Sequence, residues 1–208
     1  KEIFMSLLSS AISITRYRVN GKLENPIIDA VYLGLRKNML PDIDDIESAQ
    51  SAGWTSFQDP FTPSFEGSAF VYGNYFVFSL RIDKKAIPAK LVQKYMAIEI
   101  AKKCKATGRE FLSKNEKKMI KENVISLLGL RIPATPNIYN VIWNYEANQI
   151  WFFTHLKSPN EVLETLFKTS FGLVLTRIFP FTFAESLPGM SGFDLDLLTP
   201  LSPTKLVR

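Results

Sequence analysis

Thirteen of the chain's twenty-five Lys and Arg residues lie between Lys84 and Arg131, where only Glu99, Glu110, Glu116 and Glu122 oppose them. That leaves nine uncompensated positive charges in one stretch, while the remaining residues hold twelve cations against sixteen carboxylates, a net of four negative charges. A block this basic repels itself unless an anion sits against it. It also carries two sets of helix punctuation, so the flanking segments must build a core that leaves a basic helical pair outside. The first helix is predicted to begin near Pro88, which suits a first helical position, and to run to Thr107 before Gly108. The second opens on Ser113 and Glu116, an S-x-x-E capping box, and is predicted to close at Gly129 after Leu127-Leu128.

On either side of this block the patterns are mixed. Residues 12–19 alternate apolar and polar and end at Asn20-Gly21, predicting a strand. Pro26 then starts a helix in which Ile27, Ile28, Val31, Leu35 and Met39 recur at helical spacing until Pro41. The acidic run from Asp42 to Glu47 is a predicted connector, Gly53 to Phe57 a short strand, and residues 59–67 a loop. Ala69 to Tyr72 and Tyr75 to Asp83 flank Gly73-Asn74, a hairpin turn pair. Beyond the basic block, residues 138–144 and 149–154 predict a second hairpin around Glu146-Ala147-Asn148. Ser158 and Glu161 predict a third capped helix through Thr169, closed at Gly172, and residues 173–178 a last strand. The expected fold is α+β, with antiparallel sheets and packed helices in β-α-β-β and β-β-α-β halves and a basic helical pair inserted between them. The expected domain spans residues 5–184, with the insertion at 84–131 and an irregular tail at 185–208. Met5 is the expected opening, and Lys1 to Phe4 carry no functional weight.

Projected at 100° per residue, the second basic helix puts Ile120, Val124, Leu127 and Leu128 on one stripe and Lys114, Lys118 and Lys121 on an adjacent one. Seven residues span about 10 Å, so flexible ammonium groups there can reach successive phosphates without reading a base. In the first helix Lys90, Lys94 and Lys105 share a side, while Leu91, Tyr95 and Ile98 form an apolar stripe. Lys84, Lys85, Arg109 and Arg131 extend the cationic surface. Lys dominates over Arg, which favours affinity over guanine readout. Filler helices pair Lys with Glu at i,i+4, and here most lysines lack that partner. Nucleic acid is therefore the expected anion, ahead of acidic lipid, because the helices lack a bulky apolar face to insert.

One cysteine, Cys104, excludes an internal disulfide, and with a single His155 the chain lacks the ligands of a zinc cluster. No metal or other cofactor is expected. No window reaches the roughly 18 apolar residues of a membrane span, and the expected setting is cytosolic and reducing.

Five segments together resemble the bacterial recombination-associated protein family RdgC. They are residues 10–19 with Thr15-Arg16-Tyr17-Arg18-Val19, Ser51-Ala52-Gly53-Trp54, Phe78 to Asp83, Thr107 through Glu122, and Val141-Ile142-Trp143-Asn144. The resemblance covers about residues 6–184 and is closer to short members than to longer ones, which continue into a C-terminal region. It implies a sequence-independent, nucleoid-associated binder of duplex DNA, a homodimer closing into a ring around it, and restraint of RecA-type strand exchange. For a short member an open dimer stands beside the ring. Longer members carry a Pro-Arg-aromatic tip after the second basic helix; this chain has Leu130-Arg131-Ile132-Pro133, so Arg131 keeps the cation and Ile132 would be an aliphatic wedge. The expected DNA-binding residues are Lys90, Lys94, Arg109, Lys114, Lys117, Lys118, Lys121, Arg131 and Ile132.

Two other functions compete with DNA binding. A metal-dependent nuclease would use Asp42, Asp44, Asp45 and Glu47, but a connector without a basic or His partner reads as solvated turn chemistry, and no enzyme is expected. Alternatively, the basic helices could dock an acidic protein. The segments Trp151-Phe152-Phe153 and Phe179 to Phe183 could stack single-stranded bases, yet neither is interleaved with basic residues, so core or subunit packing is expected, with Phe181 and Phe183 in a subunit contact.

Overall fold

The computed structural model describes residues 11–41, 48–185, 187, 189 and 191–201. Among these, the strands are β1 (Thr15–Asn20), β2 (Gln50–Thr55), β3 (Val71–Tyr72), β4 (Tyr75–Lys84), β5 (Thr135–Asn144), β6 (Gln149–Phe152) and β7 (Val174–Arg177). The helices are α1 (Ile27–Lys37), α2 (Ala89–Thr107), α3 (Lys114–Arg131), α4 (Lys157–Phe171), α5 (Pro180–Glu185) and α6 (Gly192–Leu198). The α+β expectation holds and a helical pair separates two sets of strands, but the first set is β-α-β-β-β rather than β-α-β-β, because β2, β3 and β4 all follow α1, and the second is β-β-α-β followed by α5 and α6. All strands join one antiparallel sheet in the order β2-β4-β5-β6-β1-β7, with β3 pairing β4. The halves interleave, because β1 from the first sits between β6 and β7 from the second.

Alternation sends one set of side chains to the helices. Tyr17 and Val19, Phe76, Phe78, Leu80 and Ile82, Val141 and Trp143, and Ile150 and Phe152 are buried with Val31 and Leu35 of α1 and Leu163 and Phe167 of α4. At Gly34 a Cβ would come within 2.5 Å of the Phe171 ring, so α1 and α4 approach only because that position is bare. Tyr17 ties sheet to helix: its hydroxyl donates to Asn160 Oδ1 at 2.6 Å and lies 3.0 Å from Glu164 Oε1, and Glu164 also accepts from Arg177 Nε at 2.7 Å. Burial, reinforced by Glu164, pushes the Tyr17 phenol well above its ordinary range.

Several boundaries differ from expectation. β1 starts at Thr15 because its register begins at Thr15 opposite Phe152, and Ile12 and Ile14 remain exposed. β5 starts at Thr135 rather than 138, since β4 pairs with it as far as Lys84 opposite Thr135. Pro136 is tolerated because β6 flanks β5 only from Val141 onward, leaving an open side for the missing N–H. The capping box expected at Ser158 does not form. Thr154 Oγ1 instead accepts the Leu156 N–H at 3.2 Å, and Asn160 Nδ2 donates to the Leu156 carbonyl at 2.7 Å, so α4 begins earlier, at Lys157.

The tail is not wholly irregular. Ser191 caps α6: its hydroxyl accepts the Asp194 N–H at 3.3 Å, while the Asp194 carboxylate accepts the Ser191 N–H at 2.9 Å. This is a capping box with Asp in place of Glu, a signal present in the sequence and missed. Bonds from the Ser191 hydroxyl and N–H hold the Asp194 carboxyl below its usual range.

Candidate nucleic-acid interface

The basic block forms an antiparallel helical hairpin at one end of the β4–β5 pair. α2 has 19 residues and α3 has 18, giving lengths of about 28 and 27 Å. Val92, Leu112, Ile120, Val124 and Leu128 make an apolar cluster separate from the main core, with Leu91, Tyr95, Met96, Ile100, Cys104 and Ile132 packed against it. The predicted punctuation works at both ends. Gly108 closes α2 at φ 63°, and Ser113 accepts the Glu116 N–H at 3.2 Å while Glu116 Oε2 accepts the Ser113 N–H at 2.9 Å.

The seam between the helices is shifted from the predicted stripes. Leu127 was expected on the buried face and is 56% exposed, and Ile98 is 40% exposed. The i,i+4 row Ile120, Val124 and Leu128 meets Val92 and its neighbours instead, leaving Leu127 and Ile98 at the rim of a groove with Tyr95 and Arg131. Gly129 does not end α3. Helix continues to Arg131, because the Lys85 ammonium donates to the Gly129 carbonyl at 2.9 Å, satisfying one of the last-turn acceptors that otherwise lack a partner. Lys85 is therefore buried at the hairpin base and does not belong to the cationic surface, contrary to expectation.

The predicted site residues fall into two groups along the hairpin. Near the tip stand Arg109, Lys114, Lys117, Lys118 and Lys121, all exposed. The four lysines occupy an arc of roughly 100° on the N-terminal half of α3. Among the described residues Lys114, Lys117 and Lys121 make no ion pair, whereas Lys118 meets Glu122 at 3.8 Å and Arg109 meets Glu116 at 4.0 Å. Both are exposed pairs of little energetic weight. Glu116 already accepts from Ser113 and also faces Lys103 at 3.7 Å, so it neutralises at most one charge. The Ser113 N–H and hydroxyl, helped by Lys103 and Arg109, hold its carboxyl below the usual range.

Near the base lie Lys90, Lys94 and Arg131, also exposed, with the Lys94 ammonium 5.8 Å from the Tyr95 ring centroid. Ile132 is half-buried against the hairpin's own cluster and donates its N–H to the Leu128 carbonyl at 3.0 Å, which seats the turn into β5. The hairpin thus carries positive charge at both ends of its length, densest on α3.

The acidic run Asp42, Asp44, Asp45 and Glu47 lies outside the described residues. Among the described ones no three His, Cys, Asp or Glu side chains are grouped as metal ligands, and no helix is long and apolar enough to cross a membrane. His155 is exposed just beyond β6, and Cys104 is half-buried in the hairpin.

No curated protein matches the chain. Residues 13–175 match the family described as "Putative exonuclease, RdgC", a span that runs from just before β1 into β7 and encloses the whole basic hairpin. With that match covering well over half of its 208 residues, the chain belongs to the RdgC family.

Proposed function

We propose that this protein binds duplex DNA without sequence preference through the α2–α3 hairpin and, by occupying the duplex, restrains RecA-type strand exchange. Membership in the RdgC family supports a recombination-related role. The observation that carries the DNA-binding proposal is the arc of Lys114, Lys117, Lys118 and Lys121 on α3, three of them without a carboxylate partner among the described residues. Four ammonium groups on flexible stems within one and a half to two helical turns provide a contact surface for a phosphate backbone and no means of reading bases. The working assembly is a nucleoid-associated homodimer clamped on the duplex.

Unrelated duplexes of equal length should bind equally and with steep salt dependence. The family description names an exonuclease, so end-labelled DNA incubated with magnesium or manganese is the direct control. An intact label supports a binder, and stepwise shortening moves the function to nucleolysis. Competition separates the remaining alternative, since an acidic-protein module would keep its partner in the presence of excess duplex.

A further inference from the structure

Two aromatic segments far apart in sequence meet at one arginine. Tyr17 and Val19 of β1 point into the core, so Arg16 and Arg18 stand on the opposite sheet face, away from α1 and α4. Trp151, between the fully buried Ile150 and Phe152, shares that face and pairs directly with Arg16; Arg18 pairs with Gln149. The Arg16 guanidinium lies 5.7 Å from the Phe183 ring of α5, and the Trp151 ring lies 6.0 Å from Tyr75 of β4. Phe183, Arg16, Trp151 and Tyr75 therefore form one strip from α5 over β1 and β6 and across β5 to β4. Arg16 and Arg18 are exposed and, among the described residues, join no ion pair. Neither aromatic segment contains a basic residue of its own; the interleaving that a stacking surface needs comes from β1.

We propose that this strip holds single-stranded nucleic acid, with bases stacked on Trp151 and Tyr75 and phosphates at Arg16 and Arg18. Aromatic rings on a sheet face beside Arg suit unpaired bases, whose π-faces a duplex keeps hidden. The strip is separate from the lysine hairpin and does not depend on it. The hairpin leaves the sheet at Lys84, whereas Tyr75 begins the same ten-residue strand, about 30 Å away. Phe183 is thereby assigned to nucleic acid and not to a subunit contact.

Tryptophan emission of the full chain, titrated with oligothymidylate, tests this. Of the three tryptophans, Trp54 and Trp143 are 0% and 2% exposed, so Trp151 is the reporter. Oligothymidylate should quench the emission. Trp151→Leu and Tyr75→Leu should each weaken its binding about tenfold, read by anisotropy of labelled oligonucleotide, and leave duplex binding unchanged. Replacing the four α3 lysines should do the reverse. Unchanged oligothymidylate affinity in both Leu variants overturns the proposal, with Tyr75→Leu sufficient if Trp151→Leu does not fold. Equal binding of an abasic strand also overturns it, because phosphates alone would then suffice. So does a change of sedimentation in Trp151→Leu or Phe183→Leu, which would make the strip a contact between copies of this chain.

Discussion

Replacing Lys114, Lys117, Lys118 and Lys121 together with Gln should remove half of the proposed phosphate contacts without unfolding the hairpin. All four are exposed, Gln is a good helix former, and the buried row Ile120, Val124 and Leu128 is untouched. The interface holds eight cations: Lys90, Lys94, Arg109, Lys114, Lys117, Lys118, Lys121 and Arg131. If each neutralises one phosphate, log K falls with log salt at a slope of about −7, and between 50 and 200 mM salt the affinity drops about 20,000-fold. With four contacts gone the slope should flatten to about −3.6 and the same salt step should cost only about 150-fold. Lys118 counts in full, because its pair with Glu122 at 3.8 Å is solvent-exposed and exchanging that carboxylate for a phosphate is nearly neutral. Fluorescence anisotropy on two unrelated duplexes across a salt series measures the slopes. A slope that stays near its original value, or a loss that differs between the two sequences, would refute the electrostatic reasoning. If replacing Lys90, Lys94 and Arg131 alone removed the salt dependence, the interface would lie at the hairpin base.

Lys85→Met should destabilise the protein by about 1.5–3 kcal/mol in urea unfolding, since it deletes a buried charge-assisted hydrogen bond to the Gly129 carbonyl. Amide exchange in the last turn of α3 should accelerate, and unchanged protection there would show that Lys85 does not anchor the hairpin. Ser113→Ala should cost about 1 kcal/mol and loosen the first turn of α3, readable by the same exchange experiment. Its partner Glu116 has a folded pKa below the ordinary 4.5, chiefly through the Ser113 backbone N–H, so its contribution is present above that pH and is lost as pH falls through the folded value; Glu116→Gln should lack this acid-side loss, whereas Ser113→Ala, which keeps that N–H, should only reduce it. Tyr17→Phe should cost about 1–3 kcal/mol by leaving buried Asn160 Oδ1 without its donor. Because the Tyr17 phenol is raised, its stabilisation is intact below the ordinary value of 10 and declines as pH rises beyond it; thermal unfolding of the wild type should therefore show an alkaline loss that is smaller in Tyr17→Phe, where the burial-raised Tyr139 still contributes.

Local signals were readable wherever the physics is local. Gly73-Asn74 makes its hairpin, Gly108 adopts the positive φ that closes α2, and Ser113 with Glu116 makes its box, because each needs only residues within a few positions. The failures have distant causes. Gly129 reads as a stop only if nothing satisfies its carbonyl, and Lys85, forty-four residues earlier, does. Ser158 reads as a cap until Thr154 and the buried Asn160, itself bonded to Tyr17 across the fold, take that end of α4. Leu127 and Ile98 satisfy helical periodicity, but periodicity does not say where the partner helix crosses.

By itself the chain determined that its cations concentrate in a two-helix insertion flanked by α+β elements, because charge counts, capping residues and hydrophobic periods are properties of neighbouring residues. Only the tertiary structure decided which lysines stay in solvent and which one is withdrawn, that the two halves interleave in a single sheet, and that Arg16 stands between Phe183 and Trp151. Those outcomes depend on strand register and helix crossing, which are set by burial across more than a hundred residues of separation and leave no mark in any local window.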